Sequence, residues 1–157
     1  MAVVLAVLVV VGVFAGSQTI FAGRVVEPFS ELGVLGPKMK IGDYPKEVIA
    51  GENFSLYLYV GNHEGKVMYY AVLVKLGNGT TLISTEEPLE VAEMARYEIM
   101  LLDGKNCTKP FTLSLPEAGV NYRLVFELWA YDKGVHDFEY QHRWCQLWLN
   151  VTKPVVP

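Results

Sequence analysis

The stretch NFSLYLYVGNHEGKVMYYAVLVKL, residues 53–76, decides the fold class. In its first arm Phe54, Leu56, Leu58 and Val60 share one face, and Ser55, Tyr57 and Tyr59 share the other. That period of two is the signature of a strand, because successive side chains point to opposite faces. The second arm, Val67 to Leu76, is apolar on both faces until Lys75, the pattern of a central strand covered on both sides. Between the arms, Asn62-His63-Glu64-Gly65 reverses the chain. Asn and Gly both tolerate the positive φ that a tight turn needs, so the stretch reads as a long β-hairpin.

Outward from this pair, strands recur about every ten residues with no helices between them. Thr80–Ser84, Tyr97–Leu102, Phe111–Leu115, Tyr122–Tyr131 and Arg143–Val151 read as strands. Residues 86–96 read as a brief helical turn, and Lys133–His142 as a polar loop. In the last two strands Leu124, Phe126 and Leu128 face one way, as do Cys145, Leu147, Leu149 and Val151. Trp129 in the first, and Trp144, Gln146, Trp148 and Asn150 in the second, face the other way. Residues 24–47 carry three Pro and three Gly, a connector with a short edge strand around Phe29–Leu35. The fold class that follows is all-β: an antiparallel, immunoglobulin-like β-sandwich over residues 48–157, preceded by one N-terminal apolar helix.

That helix is residues 1–23, which contain no charged side chain. About 20 apolar residues cross a bilayer. A signal-anchor segment held in the membrane, a secretory signal cleaved near Val13-Phe14-Ala15, and a buried core helix all fit. The first cation, Arg24, follows the apolar run, a weak signal for the opposite orientation. Upstream segments of a longer membrane protein would account for it.

Four Asn-X-Ser/Thr sequons start at Asn53, Asn78, Asn106 and Asn150, none with Pro in the middle. Six Asn and 12 Ser or Thr in 157 residues predict about 0.5 by chance. Each lies near a strand end or turn, where a glycan projects into solvent. Cys107 and Cys145 are 38 positions apart, without CxxC or zinc-finger spacing. In an oxidising compartment the simplest reading is one disulfide, worth about 3–4 kcal/mol in the chain-entropy model. Two unrelated buried thiols are the other reading. Together these features expect a membrane-attached, extracytoplasmic domain, or a secreted one if the leader is removed.

PFSELGVLGP at 28–37, Tyr44-Pro45, Gly51-Glu52, GNHEG at 61–65 and Tyr69-Tyr70 resemble the archaeal membrane-protein family of domain of unknown function 1616. The match is strongest from Pro28 to Leu76. The resemblance implies an archaeal surface protein with an extracytoplasmic β domain. It brings no reaction, so no catalytic residue is carried over.

The net charge of −4, with no Lys/Arg cluster, excludes a nucleic-acid partner. No GxSxG, HExxH, Walker A or GxGxxG motif is present, and no cofactor is expected. His136 and His142, with Asp137 and Glu139, crowd GVHDFEYQH; imidazole and carboxylate ligate metals, but this spacing matches no ligand pattern, and a solvated loop explains it as well. Trp129, Tyr131, Trp144 and Trp148 share one sheet face, either a binding platform or a surface covered by other parts of the fold. The leading expectation is a non-enzymatic, membrane-anchored surface glycoprotein module for protein interaction or envelope structure. The alternatives are a carbohydrate-binding sandwich using the Trp face, and a metal-dependent surface hydrolase built on the two histidines.

Overall fold

The computed structural model describes Val4, Val7, Val10, Val13 and residues 27–154. Its strands are β1 (Phe29–Leu35), β2 (Glu47–Ile49), β3 (Asn53–His63), β4 (Met68–Gly77), β5 (Glu93–Leu101), β6 (Lys105–Ser114), β7 (Gly119–Asp132) and β8 (Asp137–Thr152). They form a three-stranded sheet, β1-β3-β6, and a five-stranded sheet, β2-β8-β7-β4-β5. Every pairing is antiparallel except that of β2 with β8.

The period-two strands bury their apolar faces against each other. Leu56, Leu58 and Val60 of β3 and Phe111 and Leu113 of β6 meet Tyr70, Val72 and Val74 of β4. Leu124, Phe126 and Leu128 of β7 and Leu147, Leu149 and Val151 of β8 complete the core. Phe111 and Phe126 join the sheets edge to face, centroids 5.4 Å apart at 71°. The inward and outward assignments read from β7 and β8 hold along their regular stretch.

The expected hairpin does not form. β3 belongs to the small sheet and β4 to the large one, so residues 64–67 cross between layers. Each arm has an apolar face to bury, and placing the arms in opposite sheets turns those faces toward each other. Asn62 builds the corner from a fully buried position, 0% exposed. Its Nδ2 donates to Lys66 O at 2.8 Å and to Leu101 O at 2.9 Å. Its Oδ1 accepts from Glu64 N at 3.0 Å and from the Tyr70 hydroxyl at 3.4 Å. Gly65 follows with φ 71°, in the left-handed region glycine favours.

Other local expectations also change. Thr80–Ser84 is not a strand and 86–96 is not a helical turn; residues 78–92 form one long loop. The loop between β7 and β8 is only 133–136, because Asp137–Tyr140 pairs with β7 and Gln141 and His142 form a bulge within β8. β6 starts at Lys105 rather than Phe111. Val4, Val7, Val10 and Val13 are helical and exposed. The rest of the expected apolar helix 1–23 lies outside the described residues. Among the described residues, no helix is long and apolar enough to cross a membrane.

Candidate functional site

The outer face of the large sheet is the most elaborated surface of the domain. Register places Trp144 opposite Glu127, Trp148 opposite Arg123, and Trp129 opposite Tyr140. Alternation along β7 and β8 then brings Trp129, Tyr131, Trp144 and Trp148 to this one face, away from the core. Ala71, Leu73 and Val125 point the same way, yet they are buried. The loop 78–92 lies across them as a strap.

Side chains from three strands, β4, β7 and β8, hold that strap through its backbone. Arg123 Nη1 donates to Thr81 O at 2.7 Å, and the Tyr140 hydroxyl to Ser84 O at 3.2 Å. His142 Nδ1 donates to Thr85 O at 2.7 Å. At Leu89 the clamp is two-sided: Leu89 N donates to Glu127 Oε1 at 2.6 Å, and Lys75 Nζ donates to Leu89 O at 2.6 Å. Lys75 and Glu127 are themselves paired at 2.9 Å. They are 6% and 1% exposed, so two charges are held out of water by each other and by the backbone N–H and C=O of one residue, Leu89. Trp129 Nε1 donates to Glu127 Oε2 at 3.1 Å, and its ring lies 5.7 Å from Lys75 Nζ. Burial, with the nearby Glu127 charge, pushes the Tyr140 hydroxyl up to about 12.

This clamp was not singled out from the sequence. Its signal was there: Lys75 and Glu127 are charges inside strands that otherwise read as buried. Such residues are almost never fully buried unless paired.

Beyond the strap, the aromatic rings pack on one another. Phe138 sits 5.2 Å from Tyr69 at 55° and 5.6 Å from Tyr131 at 75°, and Trp129 sits 5.7 Å from Tyr140 at 47°. Trp144 is half-buried. Trp148 is 45% exposed, with the Arg123 guanidinium 5.2 Å over its ring. Stacking on a sugar needs an open ring face, and tilted, mutually packed rings offer little of one.

The histidines are not brought together as ligands. His136 is exposed in the β7–β8 turn at φ 57°. His142 occupies a bulge of β8 at φ 56°, its Nδ1 engaged with the strap. Among the described residues, no group of three or more His, Cys, Asp or Glu could hold a metal ion.

The cysteines do not form the expected bridge; both are free. Cys107 lies on β6, while Cys145 lies on β8 with its Sγ 3.6 Å from Leu32 O of β1. β3 separates β1 from β6, so the thiols sit at opposite sides of the sandwich. Adjacent strands are about 4.8 Å apart, and a disulfide needs Cα atoms within about 7 Å. Burial pushes the Cys145 thiol up, partly offset by a backbone hydrogen bond from Val34. Under native conditions near neutral pH, Cys145 should therefore label slowly, since the thiolate is the nucleophile. In denaturant without reductant, both thiols should label at once. Mass spectrometry checks this, and labelling that requires prior reduction would contradict it.

All four sequon asparagines are exposed. Asn53 and Asn106 lie on the outer face of the small sheet, and Asn150 on that of the large sheet. Asn78 follows β4, its Oδ1 accepting from Thr80 N at 3.0 Å and from the Thr80 hydroxyl at 2.7 Å. Asn150 Oδ1 accepts from Asn121 N at 2.9 Å. Both side chains are thus anchored through oxygen, and a glycan is carried by the other amide atom, Nδ2.

Two facing sheets, a crossing second-to-third long strand connection and a parallel strand beside the last one define an immunoglobulin-like β-sandwich. The chain belongs to the family described as Domain of unknown function (DUF1616), which matches residues 24–150. The residues that carry the resemblance meet in the fold. The Ser30 hydroxyl donates to Glu64 Oε1 at 2.6 Å and lies 2.8 Å from the Tyr70 hydroxyl, beside Asn62. The Tyr44 hydroxyl donates to Val34 O at 2.7 Å. Among solved structures, the CARDB domain of a Pyrococcus furiosus protein in complex with di-metal ions is similar at 12% identity, TM-score 0.49, over 83% of this chain and 95% of that one. A β-glucosidase from Listeria innocua is similar at 16% identity and TM-score 0.47, over 83% of this chain but 17% of that one. The sporulation control protein Spo0M from Bacillus subtilis is similar at 10% identity and TM-score 0.44, over 78% and 49% of the two chains. No curated protein matches the chain.

Proposed function

We propose that this chain is a non-enzymatic module of a membrane-anchored glycoprotein on the archaeal cell surface, serving in protein interaction or envelope structure. The observation that carries the reading is the placement of the sequons. Asn53, Asn78, Asn106 and Asn150 are exposed at strand ends and outer faces, whereas the buried Asn62 is in no sequon. The charge-free run of residues 1–23 supports attachment to a membrane before the domain begins. Four exposed acceptors support glycans as part of the working surface.

Production in a glycosylating archaeal host tests this. Glycopeptide mass spectrometry should find sugar on Asn53, Asn78, Asn106 and Asn150. An epitope tag placed beyond Arg24 should be reachable on intact cells. Four bare asparagines together with an inaccessible tag would overturn the reading. The exposed indole of Trp148 favours a second reading, carbohydrate binding at the outer face. A saturable change of Trp fluorescence on glycan titration, lost on Trp148→Ala, would replace the first reading with it.

A further inference from the structure

The sandwich presents its lateral edges very differently. At the free edge of β1, the Tyr44 hydroxyl caps Val34 O and the Cys145 thiol caps Leu32 O. On β6, Pro110 lacks an N–H and the Tyr97 hydroxyl reaches Thr112 O at 3.4 Å. An antiparallel copy of β6 centred on Cys107 would also set Lys105 against Lys109, like charge against like. β2 is three residues long, and β8 beyond it is bulged at Gln141 and His142. Bulges, prolines, side-chain caps and repeated lysines are how exposed strand edges are kept from pairing.

β5 is built otherwise. It is the outermost strand of the large sheet, nine residues long, with neither Pro nor Gly. Its sequence, EMARYEIML, is self-complementary when an antiparallel copy is centred on Tyr97. In that register Arg96 opposes Glu98 of the second copy, and Glu98 opposes its Arg96. Ala95 opposes Ile99, and Met94 opposes Met100. Met100 is 68% exposed. The single irregularity against β4 falls at Met94, so Ala95 to Leu101 is a regular run. Within one chain Arg96 bonds Glu93 at 3.0 Å and approaches Glu98 at 3.8 Å; such exposed pairs are weak and exchange readily. On the inner side Tyr97 and Ile99 line an apolar cavity of about 130 Å³ with Val60, Val72, Cys107 and Phe111. It opens between β5 and β6, where the Ala95 and Ile99 side chains of a second copy would close it.

We propose that β5 is a self-association edge. It pairs antiparallel with β5 of a second copy about a two-fold axis at Tyr97, joining the two five-stranded sheets into one. Opposite charges across antiparallel neighbours stabilise the pairing, and like charges there oppose it. The dimer is held by main-chain hydrogen bonds, and its register is set by two Arg96–Glu98 pairs.

Sedimentation velocity of the full chain in detergent micelles tests this with a charge swap. The wild-type chain should dimerise reversibly. Arg96→Glu and Glu98→Arg should each weaken the dimer by about tenfold or more, since each sets like charges opposite one another twice. The Arg96→Glu/Glu98→Arg double variant should restore it, and the two single variants mixed should form a heterodimer. A wild-type chain that stays monomeric at every concentration would overturn the proposal. So would a dimer indifferent to the single reversals, or one that the double swap fails to restore.

Discussion

Lys75→Met should destabilise the domain by about 3–5 kcal/mol in urea-induced unfolding, the cost of leaving a buried charge without its partner. The substitution keeps the length and apolar stem of the side chain, so it removes the ammonium and little else. What stays behind is Glu127, 1% exposed, still bonded to Leu89 N and the Trp129 indole but, among the described residues, with no other ion-pair partner. Leu89 O loses one of its two donors in the same step and keeps Val91 N at 2.9 Å. Glu127→Leu should cost a similar amount for the mirror-image reason, leaving Lys75 and Leu89 N unmatched. The Lys75→Met/Glu127→Leu double variant separates charge from packing. It carries no unpaired ion, so it should be more stable than either single variant. It should not reach the wild type, because the Leu89 N–H remains without a partner, a loss worth about 1–3 kcal/mol when buried. Hydrogen exchange should then place the loss in the strap, residues 78–92, while β7 and β8 stay protected. Single variants costing under about 1 kcal/mol, or a double variant worse than both, would remove the clamp from the account.

The fold was legible wherever local periodicity alone decides the answer. Alternation along β7 and β8 separated core residues such as Phe126 and Leu149 from the outer Trp144 and Trp148. The apolar run of β4 announced burial on both faces, and the strap supplies the outer cover. Pairing was less legible. A four-residue polar connection with Asn and Gly serves a hairpin or a crossing between sheets equally well, and the choice rests on partners far away in sequence, β6 for one arm and β7 for the other. The cysteines pose the same problem, since a separation of 38 positions says nothing about which edge of which sheet each thiol reaches. The strap carries no periodicity at all: its contacts run mainly from its backbone to side chains of other strands. The candidate face was thus visible as a row of aromatics, but not as a row already packed and clamped.

Asn62 tests how the chain changes layer. Its fully buried side chain makes four hydrogen bonds, two from the amide nitrogen and two to the oxygen. Asn62→Leu keeps the volume and removes all four. Lys66 O, Leu101 O, Glu64 N and the Tyr70 hydroxyl each lose a partner, and a loss of about 3 kcal/mol or more is expected in chemical denaturation. Burial already raises the Tyr70 hydroxyl above its ordinary value, so it cannot respond by ionising. Asn62→Asp is the sharper probe. It preserves the acceptor for Glu64 N and Tyr70, but turns a carboxylate oxygen toward the carbonyls of Lys66 and Leu101. Protonated, the acid can donate to one of them. Ionised, it opposes both from a site without solvent, so its folded pKa must rise above the unfolded value of about 3.9. A raised folded pKa gives stability that is fully present below the unfolded pKa and lost as pH climbs through the folded one. The Asp variant should therefore approach the wild type in acid and fall away toward neutrality, measured as the midpoint of urea unfolding at successive pH values. A pH-independent deficit would mean that the position tolerates charge, and that the crossing between sheets is set by packing of β3 and β4 rather than by this amide.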